Sequence, residues 1–453
     1  MRKIEMSDRC GGTLLAGTGR SDITPEPGGW QDGFGLRERP STGVHDRLYV
    51  TALALACAGE RALWLSADIS SLTVERAESI RNRIAEETSI PASAIMLAAT
   101  HTHAGPATGV MNRLETDGGW WVLFASGCLA AAREAVAGMV PARAGYGAGR
   151  CQIGVNRRDY LRRGGPPGYC DPEVGVLRLF GKEPAPLAVL VNYACHPVML
   201  GPENLEISAD YPGVVRRVVE EVFPSCRCLF LSGAAGDINP RAGVGISYGL
   251  MEREGRILAG EILRVIRGIP AQDGGPLRSG AYTATIPLIP LPPREDLAGE
   301  AARARLAYQS AGGVGPRRMA GTALDWAKRA LEARERDGAP ATLRVPLQWF
   351  ALGEVCTVCA WPFEAFAGVG AEIKRRAGRP LLLAGYANGC LGYLPGQDDY
   401  ALGGYEVEEA CKWYKHLTGF APGAADMVVE ETVRILAGIA VSVDCGLETP
   451  GIG

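Results

Sequence analysis

Apolar runs of strand length alternate with amphipathic segments along much of this 453-residue chain. Between residues 48 and 100, the runs LYVTALALAC, ALWLSADIS and AIMLAAT have the length and aliphatic content of buried strands. The segment TVERAESIRNRIAEET, between the second and third runs, repeats apolar residues at helical spacing. This order predicts an α/β fold in which a parallel or mixed central sheet carries helices on both faces.

The same alternation continues to about Gly268, with strands LAVLVNYAC and CLFLSG and two long helices. The stretch 271–342 differs, because one strand-like run is followed by two charged, alanine-rich helical segments. Strands then return in LRVPLQWFALGEVCTVCAWPFEAF, and an amphipathic helix ends the pattern. We predict one domain built from residues 1–270 and 343–453, with a helical insertion or lid at 271–342.

Composition and charge narrow the classes of partner. Apolar residues make up 47% and charged residues 21%, as in a soluble globular protein, and the formal net charge of −3 without a Lys/Arg cluster argues against nucleic acid. The first residues lack the apolar stretch of a secretory signal, and nowhere do 18 uncharged apolar residues follow one another. Thirteen cysteines, an odd number, fit reduced thiols. We expect a cytoplasmic protein without stable membrane anchoring, and homo-oligomer formation stays open.

Three of the five histidines follow apolar runs. His101 and His103 come after AIMLAAT, His196 follows LAVLVNYAC, and Glu364 follows VCTVCAWPF. Functional crevices of open α/β sheets lie beyond the carboxyl ends of the strands, so these side chains are expected in one cleft. If the backbone stays extended from His101 to His103, both imidazoles point the same way.

Two histidines and a carboxylate, with a position left for water, form an established catalytic zinc site. For any single histidine, a hydrogen-bonded core or surface role is the alternative. The repetition of the pattern at several strand ends favours a metal centre. His45 and His416 lack this setting and are interpreted as structural.

Six motifs in a fixed order resemble a known family. THTHAGP, NYACHPVM, NRRDY, GAAGDINPR, WPFEAFAG and NGCLGYLPGQDDYALGGYEVE are similar to the N-terminal catalytic domain of the neutral/alkaline, non-lysosomal ceramidases and their shorter bacterial relatives. The resemblance covers most of the chain except about 271–342. It implies a zinc-hydrolase-like fold, amidase chemistry and one zinc ion per chain.

The resemblance also implies roles for individual residues. The matching zinc ligands are His101, His196, Glu364 and Tyr393. His103 matches a residue that handles a proton or steadies the oxyanion, Tyr405 one that hydrogen-bonds the substrate carbonyl, and Arg157 one that contacts polar substrate groups. Without the family, each tyrosine would be interpreted as a packing residue and the arginine as a solvated charge.

One motif departs from the family. Ceramidases carry a serine, described as the nucleophile, three residues before their Gly-Asp pair, and counting back from Gly236 and Asp237 gives Gly233. Ser232 is adjacent, but a one-residue shift in a tight turn aims its hydroxyl elsewhere, so it is not assigned that role. We assign Gly233, Asp237 and Asn239 to substrate binding, because small residues bring the backbone close to the cleft.

The chain stops soon after these motifs, without the C-terminal immunoglobulin-like domain of full ceramidases, which weakens ceramide itself as the substrate. We predict a zinc-dependent hydrolase that uses a zinc-activated water to cleave an amide (N-acyl) bond in a small molecule. One alternative keeps the zinc but cleaves an ester, lactone or glycosidic bond in a small polar or sugar-derived metabolite. Another is a non-catalytic metal-binding protein.

Overall fold

The computed structural model describes residues 12–162, 164–182, 184–336 and 338–445. The strands in chain order are β1 (Leu15–Asp22), β2 (Gly43–Val44), β3 (Tyr49–Cys57), β4 (Glu60–Ala67), β5 (Ile95–Ala99), β6 (Val140–Pro141), β7 (Arg143–Arg150), β8 (Gly154–Asn156), β9 (Glu173–Phe180), β10 (Pro186–Tyr193), β11 (Glu206–Ile207), β12 (Arg227–Ser232), β13 (Ile238–Pro240), β14 (Leu277–Pro287), β15 (Thr342–Leu352), β16 (Cys356–Ala360), β17 (Glu364–Ala365), β18 (Leu381–Ala384) and β19 (Tyr393–Leu394).

The helices are α1 (Val74–Thr88), α2 (Gly118–Ala137), α3 (Asp210–Val222), α4 (Tyr248–Gly268), α5 (Arg294–Ser310), α6 (Val314–Glu335), α7 (Ala367–Ala377), α8 (Tyr405–Glu408), α9 (Ala410–Trp413) and α10 (Ala424–Cys445). The predicted helix TVERAESIRNRIAEET is α1, whose start is fixed by Thr73, because the Thr73 side chain accepts a hydrogen bond from the amide of Arg76. Among the helices of the described ranges, none combines the length and apolar character that a bilayer crossing requires.

Within these ranges the strands form several mixed sheets. The larger ones have the orders β5-β4-β3-β1-β6, β12-β10-β9-β7 and β14-β15-β16-β18. Each contains one parallel pair, namely β4 with β5, β10 with β12 and β16 with β18, and its other pairs are antiparallel. The predicted α/β class with mixed strand pairing is confirmed, and the strands are divided among several sheets.

Alternate residues of β3 face two different hydrophobic cores. Val50 and Ala52 pack into a core that includes residues of α1 and α2. Leu53 and Leu55 point to the other side, where they pack with β9, β10 and β12 of the second sheet and with β15 and β16 of the third. The period of two along a strand therefore places one face under helices and the other against the neighbouring sheets.

Several glycines lie inside strands, although glycine is a common turn residue. An added Cβ at Gly17 or Gly19 of β1 would lie 2.2 Å from the carbonyl oxygen of Ala135 or Ala131 in α2. A Cβ at Gly145 of β7 would similarly lie 2.2 Å from a carbonyl oxygen of the segment that follows α4. Glycine is needed in these strands because the backbone of α2 or of the segment after α4 approaches them closely.

Hydrogen bonds connect the carboxyl ends of three strands, β5, β12 and β18, one from each of the larger sheets. The amide of Ala99, at the end of β5, donates to the carbonyl of Tyr386 after β18 (3.1 Å), and the amide of Gly385 donates to the carbonyl of Ser232 at the end of β12 (2.8 Å). The Ser232 hydroxyl in turn donates to the carbonyl of Thr100 (2.8 Å). The loops that leave these strands therefore start from one small region.

The two charged helices project from a long β-hairpin. Strands β14 and β15 pair antiparallel from Leu277 opposite Leu352 to Pro287 opposite Thr342, and α5 and α6 lie between them in the chain. The amides of Val314 and Gly315 at the start of α6 donate to the carboxylate of Glu38 (2.8 and 3.1 Å). This contact places the helical pair beside the segment that follows residue 30.

Candidate active site

Four of the predicted side chains meet at the carboxyl ends of the strands. The possible ligand atoms of His101, His103 and His196 all lie within 4.8 Å of one another. The Oε2 atom of Glu364 lies 3.1 Å from Nε2 of His196 and 3.4 Å from Nε2 of His101. The two Nε2 atoms of His101 and His103 are 3.1 Å apart. The structure therefore brings these four residues into one cluster.

The backbone at His101 differs from the extended chain that the alternation predicted. His101 has a φ of +69°, in the left-handed region that side chains other than glycine adopt uncommonly. Strand β5 ends at Ala99, and the amide of His101 donates to the carbonyl of Ile69 (2.9 Å), which turns the chain. The rings of His101 and His103 nevertheless approach, with centroids 4.7 Å apart at an interplanar angle of 82°.

The outer hydrogen bonds of two imidazoles set their tautomers. Nδ1 of His101 lies 2.6 Å from the carbonyl oxygen of Ser70, and Nδ1 of His196 lies 2.6 Å from that of Ala235. A carbonyl oxygen only accepts, so each Nδ1 carries a proton, and in the neutral imidazole Nε2 carries the lone pair. Both lone pairs face Oε2 of Glu364. An arrangement of acceptors around one point suits a cation, and the outer carbonyl partners are those of metal-binding histidines.

The pKa shifts of the clustered residues are consistent with a metal-binding set of donors. Burial lowers the pKa of His196 to about 4 and lowers the pKa of His103 well below its ordinary value. Burial raises the pKa of the Glu364 carboxyl, but charge interactions and hydrogen bonds with His101 and His196 outweigh it, so this pKa is lowered. Neutral imidazoles and an ionised carboxylate are the forms that bind a divalent metal ion.

Glu364 is positioned by a short parallel strand pair and a glycine. Residues Glu364 and Tyr393 are direct partners in the β17–β19 pair, and the amide of Glu364 donates to the carbonyl of Gly392 (2.9 Å). The amide of Gly236 donates to the carbonyl of Ala365 (2.9 Å), and a Cβ at Gly236 would lie 2.3 Å from the carbonyl oxygen of Glu364. Only glycine allows this close approach.

Two tyrosines at Glu364 were not predicted from the sequence. The hydroxyl of Tyr414 donates to Oε1 of Glu364, and the hydroxyl of Tyr386 lies 3.4 Å from Oε2. The Tyr386 ring also stacks on His101, with centroids 3.9 Å apart. Tyr386 has a φ of +52° in a turn, and Tyr414 lies two residues before His416, the histidine interpreted as structural. Neither carries a motif or periodic pattern that could have identified it.

The other predicted residues lie side by side next to this cluster. The Arg157 guanidinium is 5.4 Å from the centroid of the Tyr393 ring, and the Tyr393 and Tyr405 rings are 6.0 Å apart. Nε of Arg157 donates to Glu406 (2.8 Å). Tyr405 is 39% exposed, so part of this residue is accessible from solvent.

Residues 14–240 match the family described as neutral/alkaline non-lysosomal ceramidase, N-terminal. The chain belongs to this ceramidase family. Membership indicates a hydrolase that acts on amide bonds. No curated protein matches the chain.

Two solved structures share the fold. The neutral ceramidase from Pseudomonas aeruginosa aligns with a TM-score of 0.71 at 18% identity, over 98% of this chain and 76% of that one. A ceramidase complexed with C2 gives the same TM-score and identity, over 98% of this chain and 77% of that one. At this identity the likeness establishes a common fold.

Position 233, where the ceramidase motif has a serine, is a glycine whose amide is hydrogen-bonded. The amide of Gly233 donates to the carbonyl of Tyr193 (2.9 Å). The neighbouring Ser232 is buried, and its hydroxyl donates to the carbonyl of Thr100 (2.8 Å). Ser232 therefore joins the ends of β12 and β5, which agrees with withholding the nucleophile role from it.

Asp237 and Asn239 make contacts within the protein. One carboxylate oxygen of Asp237 accepts from the amide of Ala367 (2.7 Å) and the other from the side chain of Asn156 (2.6 Å). Burial raises the Asp237 pKa to about 6. Oδ1 of Asn239 accepts from Arg157 (3.4 Å). Both residues thus support the arginine loop and α7 from within the fold.

Arg158, the residue after Arg157, has a structural role that differs from the role of Arg157. Arg158 is fully buried and donates to the other carboxylate oxygen of Glu406 (2.6 Å). It also donates to the carbonyls of Gly403 (2.8 Å) and Asp399 (3.1 Å). These bonds fix the loop that leads to Tyr405. No pattern in the sequence distinguishes Arg158 from the other charged residues.

Proposed function

We propose that this protein is a zinc-dependent hydrolase that cleaves an amide (N-acyl) bond, with water as the attacking group. The observation that carries the proposal is the facing of two imidazole lone pairs, from His101 and His196, toward one carboxylate oxygen of Glu364. When bound, zinc lowers the pKa of a coordinated water to ~7 and polarises a carbonyl oxygen. The family supports the amide as the bond that is cleaved.

His101, His196 and Glu364 would hold the ion, one per chain. Tyr393, the strand partner of Glu364, is proposed as the fourth ligand. Imidazole nitrogen with a carboxylate is a donor set that suits zinc better than magnesium or calcium, which prefer oxygen ligands alone. His103 lies beside this set, since its Nε2 is 3.1 Å from that of His101.

His103 is proposed to move the proton of the reaction. Its imidazole can accept the proton of the attacking water and deliver it to the leaving nitrogen. Nδ1 of His103 is buried and lacks a hydrogen-bond partner among the described residues, so no backbone carbonyl holds a proton on this nitrogen. That distinguishes it from His101 and His196, whose Nδ1 atoms are paired with carbonyls.

Tyr405 and Arg157 are proposed to bind the substrate. The hydroxyl of Tyr405 would donate to the developing oxyanion, an interaction that strengthens in the transition state. Arg157, held by Glu406 and backed by Asn239, would bind a polar group of the substrate. The positively charged arginine and the adjacent tyrosine rings Tyr393 and Tyr405 suit an N-acylated small molecule with a polar head.

The missing serine supports direct attack by water. Gly233 has no side chain, and the Ser232 hydroxyl is bonded to a backbone carbonyl, so this turn supplies no nucleophile. Hydrolysis would then proceed without a covalent acyl-enzyme on the chain, and rapid mixing should show no burst of the amine product.

The proposal is tested by metal analysis combined with a substrate panel. We expect about one zinc per chain, and turnover of N-acyl substrates that a chelator removes and added zinc restores. His101→Ala should lose both zinc and turnover, whereas the control His45→Ala, at a histidine remote in sequence from the cluster motifs, should keep both. Amide turnover by metal-free His101→Ala protein would refute the mechanism. Turnover of esters, lactones or glycosides alone would refute the amide assignment.

A further inference from the structure

The two carboxylate oxygens of Glu364 have different partners. Oε2 faces the imidazoles of His101 and His196. Oε1 accepts a hydrogen bond from the hydroxyl of Tyr414. Glu364 is completely buried, so loss of this donor would leave a buried acceptor without its protein partner.

The ring of Tyr414 is seated on the same glycine that holds the Glu364 backbone. A Cβ at Gly392 would lie 3.2 Å from Cδ2 of Tyr414, so the ring packs directly on this residue. The carbonyl of Gly392 accepts from the amide of Glu364 (2.9 Å). Tyr414 and Glu364 are therefore fixed relative to each other by a shared neighbour as well as by their own hydrogen bond.

The segment around Tyr414, residues 410–417, is held by hydrogen bonds to two other parts of the fold. The carbonyl of Trp413 accepts from the amide of Asn112 (2.9 Å), in the loop that follows the histidine motif. The carbonyl of Leu417 accepts from the indole of Trp326 in α6 (2.8 Å). The phenol is thus presented by a segment that the helical pair α5–α6 helps to hold.

We propose that Tyr414 is a positioning residue for the metal ligand Glu364. Its hydroxyl holds Oε1 and so keeps Oε2 directed toward His101 and His196. The inference rests on the proposed function, because it presupposes that Glu364 binds the metal ion. Partners that orient a ligand in this way typically change metal affinity by about 10- to 100-fold.

The test compares two removals of a phenolic hydroxyl. Tyr414→Phe deletes the bond to Glu364. Tyr282→Phe is the matched control, since Tyr282 is also half-buried and its hydroxyl pairs with Thr432 (2.5 Å), away from the histidines. The zinc dissociation constant is measured by competition with a chromophoric chelator. The visible spectrum of the cobalt-substituted protein and the zinc-induced rise in thermal midpoint are recorded for each variant.

We expect Tyr414→Phe to raise the zinc dissociation constant by about 10- to 100-fold, to change the cobalt spectrum and to reduce the zinc-induced thermal shift. Tyr282→Phe should alter only the thermal midpoint of the metal-free protein. Wild-type affinity and spectrum in Tyr414→Phe would overturn the inference while leaving the zinc site intact. If the wild-type protein does not bind zinc, the proposed function itself is refuted, and the inference about Tyr414 falls with it.

Discussion

Replacement of Gly33 by alanine should displace His103 and disable the reaction. Gly33 has a φ of +86°, and an added Cβ would lie 2.2 Å from Cγ and 2.4 Å from Nδ1 of the His103 ring. Carbon atoms in contact are separated by about 3.5 Å or more, so the ring must move by roughly 1.3 Å. A shift of ~1 Å in a reacting group can cost ~10²-fold in rate.

Gly164 provides a matched control for the backbone cost. Its φ is +85°, and a Cβ there would meet nothing within 4 Å. Alanine at either position adopts the left-handed region at a cost of about 1–2 kcal/mol. The difference between Gly33→Ala and Gly164→Ala therefore isolates the collision with His103.

The assay measures kcat/KM on an N-acyl substrate, bound zinc and urea unfolding for both variants. We expect Gly33→Ala to lose ~10²-fold in kcat/KM while it retains zinc, and Gly164→Ala to lose stability only. Equal kcat/KM in the two variants would refute the reasoning, because the position of the His103 ring would then not matter. If Gly33→Ala instead loses zinc, His103 would be assigned to metal binding and not to proton transfer.

Three further predictions concern the surroundings of the cluster. Tyr405→Phe should keep bound zinc but lower kcat by ~10²- to 10³-fold, as measured by steady-state kinetics and metal analysis, because it removes an oxyanion donor. Ser232→Ala should cost about 1–3 kcal/mol in unfolding free energy by leaving the carbonyl of Thr100 unpaired, with activity per folded molecule retained; an inactive folded variant would contradict this. Arg158→Met should cost about 3 kcal/mol in chemical denaturation, since the buried carboxylate of Glu406 loses a partner, and an unchanged denaturation midpoint would contradict the importance of this pair.

The hydrophobic pattern predicted the elements in which side chains alternate or repeat clearly. The predicted helix at 73–88 is α1, and the runs on either side of it are β3, β4 and β5. It did not reveal β1 or β7, because the glycines in these strands resemble turn residues in a sequence. These glycines lie in strands that other segments approach too closely for a side chain, and local sequence does not encode that tertiary contact.

Some residues of the candidate site could be predicted from the sequence, and others could not. The sequence indicated His196 and Glu364 through the apolar runs before them, and the ceramidase motifs gave them roles. It did not indicate Tyr414, which lies 50 positions from Glu364, because a tyrosine in an irregular segment has no pattern of its own. The left-handed turn at His101 was likewise missed, since β-like alternation continues up to that point.

The sequence by itself determined the α/β class, the ceramidase family and the scarce imidazoles and carboxylate that carry the chemistry, because these follow from residue type and local order. Only the tertiary structure decided that His196 and Glu364, 168 positions apart, point at each other, and that backbone carbonyls set the imidazole tautomers. The physical reason is that hydrogen bonds depend on distance and direction in space. Those are fixed by the packing of three sheets and not by any single segment.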